Sequence, residues 1–99
     1  MANPGYYIVP GATVVTDGMG NNDFYMYNVH SLPNSAPSYS TGYLYRNGAI
    51  KQIREYDGYG KPRYDIDYDH PQKEHTFPHI HYWDWSQVDP RGDAEDYIN

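Results

Sequence analysis

Histidines and carboxylates are concentrated in one stretch of the chain, Tyr64 to Trp85, with the sequence YDIDYDHPQKEHTFPHIHYWDW. It holds four of the five histidines and five carboxylates within 22 residues. His79 and His81 are one residue apart, so on an extended strand both imidazoles point to the same face. The segment before them has the same spacing in its carboxylates, at Asp65, Asp67 and Asp69. This combination favours a metal site.

Imidazole and carboxylate ligands suit Zn²⁺ first, and then Ni²⁺, Mn²⁺ or Fe²⁺. We expect a structural zinc with a closed shell that ties the last strand to the preceding sheet, held by Asp67, His70, His79 and His81. The fourth ligand stays open, with Asp69 and His75 as the substitutes for Asp67. The competing interpretation is a hydrated loop without an ion, in which the histidines hydrogen-bond to tyrosines.

The same residues permit a second chemistry, metal-independent cleavage of RNA. His79 or His81 would act as general base, and Arg54 or Arg63 would stabilise the charge that develops on phosphorus. Against this, Arg54 could simply pair with Glu55 or a strand neighbour on a solvated face. Phosphate loops, nucleophile elbows and HExxH motifs are absent from the sequence. The metal interpretation assigns no catalytic residue.

Short strands are the elements that must position these side chains. The dipeptide Asn47-Gly48 favours a tight hairpin turn, and the turn DGYGKP follows it. Ile50 and Ile53 break strict alternation, which predicts a bulge. A further strand is expected at 79–85, with its histidines and tryptophans on one face. The three strands of an antiparallel meander are predicted at 41–45, 49–56 and 63–68.

Ninety-nine residues make one domain with a single modest core. We predict a mainly β fold, with α+β as the alternative. Short strands are also expected at 6–9, 13–16 and 24–29. Four parts follow from the composition: a weakly patterned N-terminal part at 1–30, a proline-containing loop at 31–40, the meander with the histidine and aspartate site at 41–85, and an acidic tail of short helix or coil at 86–99.

Aromatic residues must supply much of the core, because Ile, Val, Leu and Phe together number only 15. The chain has 13 tyrosines and two tryptophans, whose rings bury large apolar faces. We therefore expect a thin core walled by tyrosines. The absence of cysteine excludes disulfides and thiolate chemistry.

The charge of the chain limits its partners. A net charge of −6 with seven basic residues disfavours direct binding to nucleic acid. An acidic surface can instead occupy a basic groove of another protein. The beginning, MANPGYYIVPG, lacks the features of a secretory signal, and no window has the length of a membrane span. We expect a cytoplasmic protein without membrane contact.

The segment IREYDGYGKPRYDIDY resembles the YD hairpins of bacterial repeat-containing toxins. Extended through HPQKEHTFPHIHYWDW, it is similar to a small domain of polymorphic toxins and prophage proteins with the pattern YD..G....DIDY.H....PH.H.W. The similarity covers Ile53 to Trp85. It implies a ribonuclease with His79 and His81 in the active site.

By size, acidity and lack of cysteine the chain also resembles the anti-CRISPR proteins of phages. That resemblance implies a protein of a phage or mobile element that acts in the host bacterial cell by binding a host protein, a CRISPR effector nuclease. We take inhibition as the first hypothesis and the ribonuclease toxin as the alternative. Partner contacts are expected from exposed tyrosines and from acidic residues at Asp57, Asp84, Asp89, Asp93, Glu95 and Asp96.

Overall fold

A computed structural model describes residues 13–16, 22–68 and 78–97, which form one mixed sheet of seven strands in chain order. The prediction of a mainly β fold is confirmed. The described residues contain no helix, and hence none that could span a membrane. The strand expected at 6–9 lies outside these residues, as do Asp69, His70 and His75. The strands are β1 (Thr13–Thr16), β2 (Asn22–Tyr27), β3 (Thr41–Arg46), β4 (Ala49–Tyr56), β5 (Pro62–Asp67), β6 (His79–Tyr82) and β7 (Glu95–Asp96).

The antiparallel meander is confirmed and extends from β3 to β7. The hairpin between β3 and β4 turns at Asn47 and Gly48, whose φ angles are 53° and 82°. Positive φ at both central residues is what a two-residue hairpin turn requires. This local signal therefore fixes the start of β4 at Ala49, as expected.

The predicted bulge also occurs, in the middle of β4. Leu44 pairs with Gln52 and Tyr45 pairs with Ile50, so Lys51 is the extra residue of the bulge. The extra residue brings Ile50 and Ile53 to the same face of the sheet although they are three residues apart. The bulge in the backbone therefore explains why Ile50 and Ile53 break the alternation in the sequence.

A parallel pair, β2 with β3, was not predicted. Its register runs from Phe24 opposite Gly42 to Tyr27 opposite Tyr45. Parallel neighbours need a crossover connection, and residues 28–40 supply it without a helix. The loop predicted at 31–40 therefore crosses one face of the sheet, which we call the covered face.

The main apolar core lies between the covered face and this crossover loop. Gly42 leaves room for the Phe24 ring, since a Cβ at Gly42 would lie 2.7 Å from it. The prediction of a core walled by tyrosines is wrong in its main feature. One tyrosine belongs to the core cluster of the described residues, and aliphatic residues of the crossover loop complete the cluster. The cluster consists of Phe24, Met26, Leu32, Ala36, Leu44 and Tyr56.

The C-terminal segment is coil that ends in the short strand β7. The strand expected at 79–85 stops at Tyr82, and Trp83 continues it only as an isolated bridge to Arg91. Asp84 ends the strand because its Oδ1 accepts hydrogen bonds from the backbone N–H and the hydroxyl of Ser86. Such local side-chain bonds favour turns over strands.

Candidate functional site

The histidines and aspartates of the central motif meet on the covered face. Asp65 pairs with His81 and Asp67 pairs with His79 across β5 and β6. The same register places Arg54 of β4 opposite Asp65. The predicted shared face of each pair is therefore confirmed. We call the linked charged residues the ionic network: Arg54, Asp65, Asp67, His81 and Arg91.

Asp65 is the centre of the ionic network and is completely buried. Its Oδ1 accepts a hydrogen bond of 2.6 Å from Arg54 Nε, and its Oδ2 accepts one of 3.0 Å from Arg54 Nη2. Oδ2 also accepts bonds from Arg91 Nε at 2.8 Å and from Trp83 Nε1 at 3.0 Å. Four donors compensate the desolvation of one carboxylate.

Arg54 fastens the crossover loop to the sheet. Its Nη1 donates to the Leu32 carbonyl at 2.9 Å and also lies within hydrogen-bond distance of the Pro33 carbonyl and Asn34 Oδ1. The guanidinium lies 4.9 Å from the centre of the Trp83 ring. Arg54 is 4 % exposed. It pairs with a strand neighbour, but in the interior and not on a solvated face.

Arg91 is the member of the network that sequence reasoning missed. Its Nε donates to Asp65 and its Nη2 donates to Asp67 Oδ2 at 2.9 Å. Burial lowers the pKa of Arg91, but the hydrogen bonds to both carboxylates outweigh burial and raise it. A cation in the otherwise acidic segment DPRGD was the signal available in the sequence.

Asp67 and His81 form a close contact at the edge of the network. Asp67 Oδ1 accepts a bond from Gln52 Nε2 at 2.8 Å, and Asp67 Oδ2 lies 3.2 Å from His81 Nε2. His81 Nδ1 lies 2.7 Å from the carbonyl oxygen of Gly92. Because a carbonyl only accepts, Nδ1 carries a proton. Nε2 is thus the nitrogen that faces Asp67 Oδ2.

The two histidines face different carboxylates. His79 is the register partner of Asp67, yet its Nε2 lies 3.3 Å from Asp96 Oδ1 on β7. Within 13–16, 22–68 and 78–97 there is no group of three or more histidines and carboxylates placed to hold a metal. His70, Asp69 and His75 lie outside those ranges. The four-ligand zinc site therefore stays a prediction.

The tryptophans extend the network past the end of β6. The rings of Trp83 and Trp85 stack with centroids 5.3 Å apart. Trp85 Nε1 donates to the carbonyl of Pro62 at 2.9 Å, and Lys61 Nζ lies 5.2 Å from the Trp85 ring. Cations over indole rings are favourable. The stack joins the end of β6 to the start of β5.

The opposite face of the sheet carries most of the described tyrosines, and we call it the tyrosine face. Its rings pair across neighbouring strands, with centroids of Tyr25 and Tyr43 4.8 Å apart and those of Tyr27 and Tyr45 5.6 Å apart. The register of the strands places six tyrosines there, Tyr25, Tyr27, Tyr43, Tyr45, Tyr64 and Tyr82.

Carboxylates lie among these rings. Burial raises the pKa of Glu55, and nearby Asp23 raises it further, against the lowering effect of the hydrogen bond from Thr41. Burial and Asp23 also raise the pKa of Tyr43. Part of the tyrosine face is thus desolvated, and the charges of Asp23 and Glu55 act on Tyr43.

Comparison with protein-family models, with curated proteins and with solved structures found no match to the chain. The two faces of the described sheet differ in chemical character. The covered face holds a buried ionic network, which links β4 and β5 to the crossover loop and to the C-terminal segment. The tyrosine face presents Tyr27 and Tyr82 to solvent, with half-buried tyrosines between them, and this suits recognition of another molecule.

Proposed function

We propose that this protein acts by binding another protein through its tyrosine face, and that it inhibits a host nuclease by occupying a basic nucleic-acid-binding surface. The observation that carries the proposal is the row of six tyrosines on one face of the sheet. Tyr27 and Tyr82 at its two ends are 56 % and 54 % exposed. Tyrosine is enriched in the energetic centres of protein interfaces.

The charge of this side of the molecule complements a basic partner. Asp23 and Glu55 lie among the tyrosines, and an arginine or lysine of the partner would find both carboxylates and ring faces there. Exposed carboxylates of the C-terminal segment add negative charge to the molecule as a whole, at Asp84, Asp89, Asp93, Glu95 and Asp96. Of the predicted contact residues, Asp57 is half-buried and accepts backbone hydrogen bonds in its own turn.

The described contacts favour this proposal over the ribonuclease alternative. Of Arg54 and Arg63, the two arginines considered for the charge on phosphorus, Arg54 donates to Asp65 and to the crossover loop. His79 and His81 each face a carboxylate and are partly buried. A guanidinium held in this way does not contact an RNA phosphate.

The anti-CRISPR resemblance names the partner class to test first, effector nucleases of CRISPR systems. Purified effectors of the main types should be presented to the protein in a binding assay and in a DNA-cleavage assay. We expect Tyr27→Ala and Tyr82→Ala each to weaken binding to the responsive effector about tenfold or more. Both side chains are half exposed, so the melting temperature should change little.

Tyr59→Ala is the matched control, since Tyr59 is 91 % exposed in the turn between β4 and β5. It should leave the affinity unchanged. Raising the salt concentration should slow association, because the attraction to a basic surface is screened. Absence of binding and inhibition across the effectors would reject this target class, and RNA cleavage by the purified protein would move the assignment to the ribonuclease.

Zinc is the second part of the proposal, with Asp67, His70, His79 and His81 as ligands. Two ligands of one tetrahedral zinc lie about 3.3 Å apart, and Asp67 Oδ2 and His81 Nε2 are 3.2 Å apart. We expect about one zinc per chain in elemental analysis of the purified protein. The double variant His79→Ala/His81→Ala should lose it and melt at a lower temperature.

His30→Ala is the control for this measurement, since His30 lies outside the histidine cluster and should leave the zinc content unchanged. The nearby Arg91 Nη2, 2.9 Å from Asp67 Oδ2, competes with a cation at this carboxylate. If the protein purified from zinc-supplemented cells contains no zinc, the metal is removed from the proposal. The protein-binding part is then unaffected.

A further inference from the structure

An open pocket of about 500 Å³ lies where the end of the crossover loop meets the turn between β4 and β5. Its volume is within the range of small-molecule sites. Two of the described residues that line it are strongly exposed tyrosines, Tyr39 at 65 % and Tyr59 at 91 %. Their rings therefore leave a large apolar area open to a ligand.

Tyr39 is held in place by its surroundings although its ring is exposed. Its φ of 55° is in the left-handed region, which a bulky residue rarely adopts. The Tyr39 N–H donates to the Asp57 carbonyl at 3.0 Å, and Ser38 Oγ donates to the Gly58 carbonyl at 2.8 Å. The ring lies against Gly58, since a Cβ there would be 2.7 Å from Tyr39 Oη. A strained residue that carries a positioned ring points to a binding role, because a fixed ring lowers the entropic cost of binding.

The polar side chains that line the pocket carry opposite charges. Asp57 Oδ1 accepts two backbone N–H groups of its own turn, and Oδ2 accepts none from the described part of the chain. Arg63 is exposed, and its charge acts on nearby Glu55. Lys61 belongs to the same turn, but its Nζ lies 5.2 Å from the ring of Trp85. An anion would meet a carboxylate and a cation would meet a guanidinium, so the lining favours a neutral ligand with both donors and acceptors.

We infer that this pocket binds a neutral carbohydrate, a pyranose unit with equatorial hydroxyls such as glucose. Equatorial hydroxyls leave C–H groups on the faces of the sugar ring, and these faces would pack on Tyr39 and Tyr59. A hydroxyl both donates and accepts, so the edge of the sugar would donate to Asp57 and accept from Arg63. Loop and turn residues form the pocket, and the inference does not depend on the inhibition proposed for the tyrosine face.

Titration of the full chain followed by NMR tests the inference, with cellotriose, sorbitol, AMP and choline as the added compounds. Cellotriose should bind saturably with a Kd of about 1 mM or below. Sorbitol has the hydroxyls of glucose without a ring face, and it should bind at least about tenfold more weakly. AMP is an anion and choline is a cation, and both should also bind at least about tenfold more weakly. Absence of saturable binding by cellotriose, or tighter binding of sorbitol, AMP or choline, would overturn the inference.

Tyr39→Gly separates binding from folding, because glycine adopts a φ of 55° without strain. It should weaken the binding of cellotriose about tenfold and leave the melting temperature near that of the parent protein. Tyr59→Ala should weaken binding about fivefold, and its backbone N–H still donates to Asp57, so the turn is retained. Tyr68→Ala is the matched control, since Tyr68 is 38 % exposed and lies outside the pocket. Unchanged binding in Tyr39→Gly and Tyr59→Ala, or an equal loss in Tyr68→Ala, would place the sugar elsewhere and overturn the inference.

Discussion

Asp65→Asn should destabilise the protein by about 3 to 5 kcal/mol, the usual cost of removing one partner from a buried ion pair. The carboxylate is completely buried, and the guanidinium of Arg54 is 4 % exposed. An amide cannot compensate that charge, and it cannot accept from Arg54, Arg91 and Trp83 as the carboxylate does. Small domains have about 5 to 15 kcal/mol of stability in total. Urea unfolding followed by circular dichroism measures the loss.

Asp93→Asn provides the control, since it makes the same change of charge at an exposed position. Its unfolding midpoint should match that of the parent protein. The double variant Arg54→Met/Asp65→Asn should lose less stability than the sum of the two single variants, because it leaves no buried unpaired guanidinium. A parent-like midpoint for Asp65→Asn would contradict the buried network.

Gly60→Ala should cost about 2 to 4 kcal/mol, because two penalties coincide at this turn. Gly60 has a φ of 77°, which side chains disfavour, and an added Cβ would lie 2.2 Å from the carbonyl oxygen of Ala36. The carbonyl of Gly60 also accepts a hydrogen bond from the Ala36 N–H at 3.0 Å. The substitution would push the crossover loop away from the turn that holds it.

Gly48→Ala separates the two penalties. Gly48 has a similar φ of 82°, but nothing lies within 4 Å of a Cβ placed there. Gly48→Ala should therefore lower the free energy of unfolding by about 1 kcal/mol, the cost of the backbone strain alone. Thermal unfolding of the two variants side by side gives the difference. Equal melting temperatures would show that the loop is not seated against Gly60.

Features governed by neighbouring residues were predictable from the sequence. Asn47 and Gly48 define their turn through their own backbone preferences. The spacing of Ile50 and Ile53 indicates the bulge because a strand alternates its faces. The same alternation placed Asp65 with Asp67 and His79 with His81, and the register of β5 with β6 brings both pairs to the covered face.

Features that depend on distant partners were not predictable in the same way. The parallel pairing of β2 with β3 requires a crossover whose path no local pattern specifies. Arg91 joins Asp65 across 26 residues of sequence. The tyrosines are numerous enough to build a core, but aliphatic residues of the crossover loop pack in the main core cluster instead. Which segment covers a face of the sheet is decided by competition between segments that are distant in the sequence.

The stacked tryptophans make fluorescence a local reporter of this protein. The chain has two tryptophans, and both lie in the stack next to Arg54 and Lys61. Indole emission therefore follows the contact between the end of β6 and the start of β5, whereas far-ultraviolet circular dichroism follows the whole sheet. Coincident transitions by the two signals would mark a single cooperative unit. An earlier indole transition would mean that this contact opens while β2, β3 and β4 stay paired.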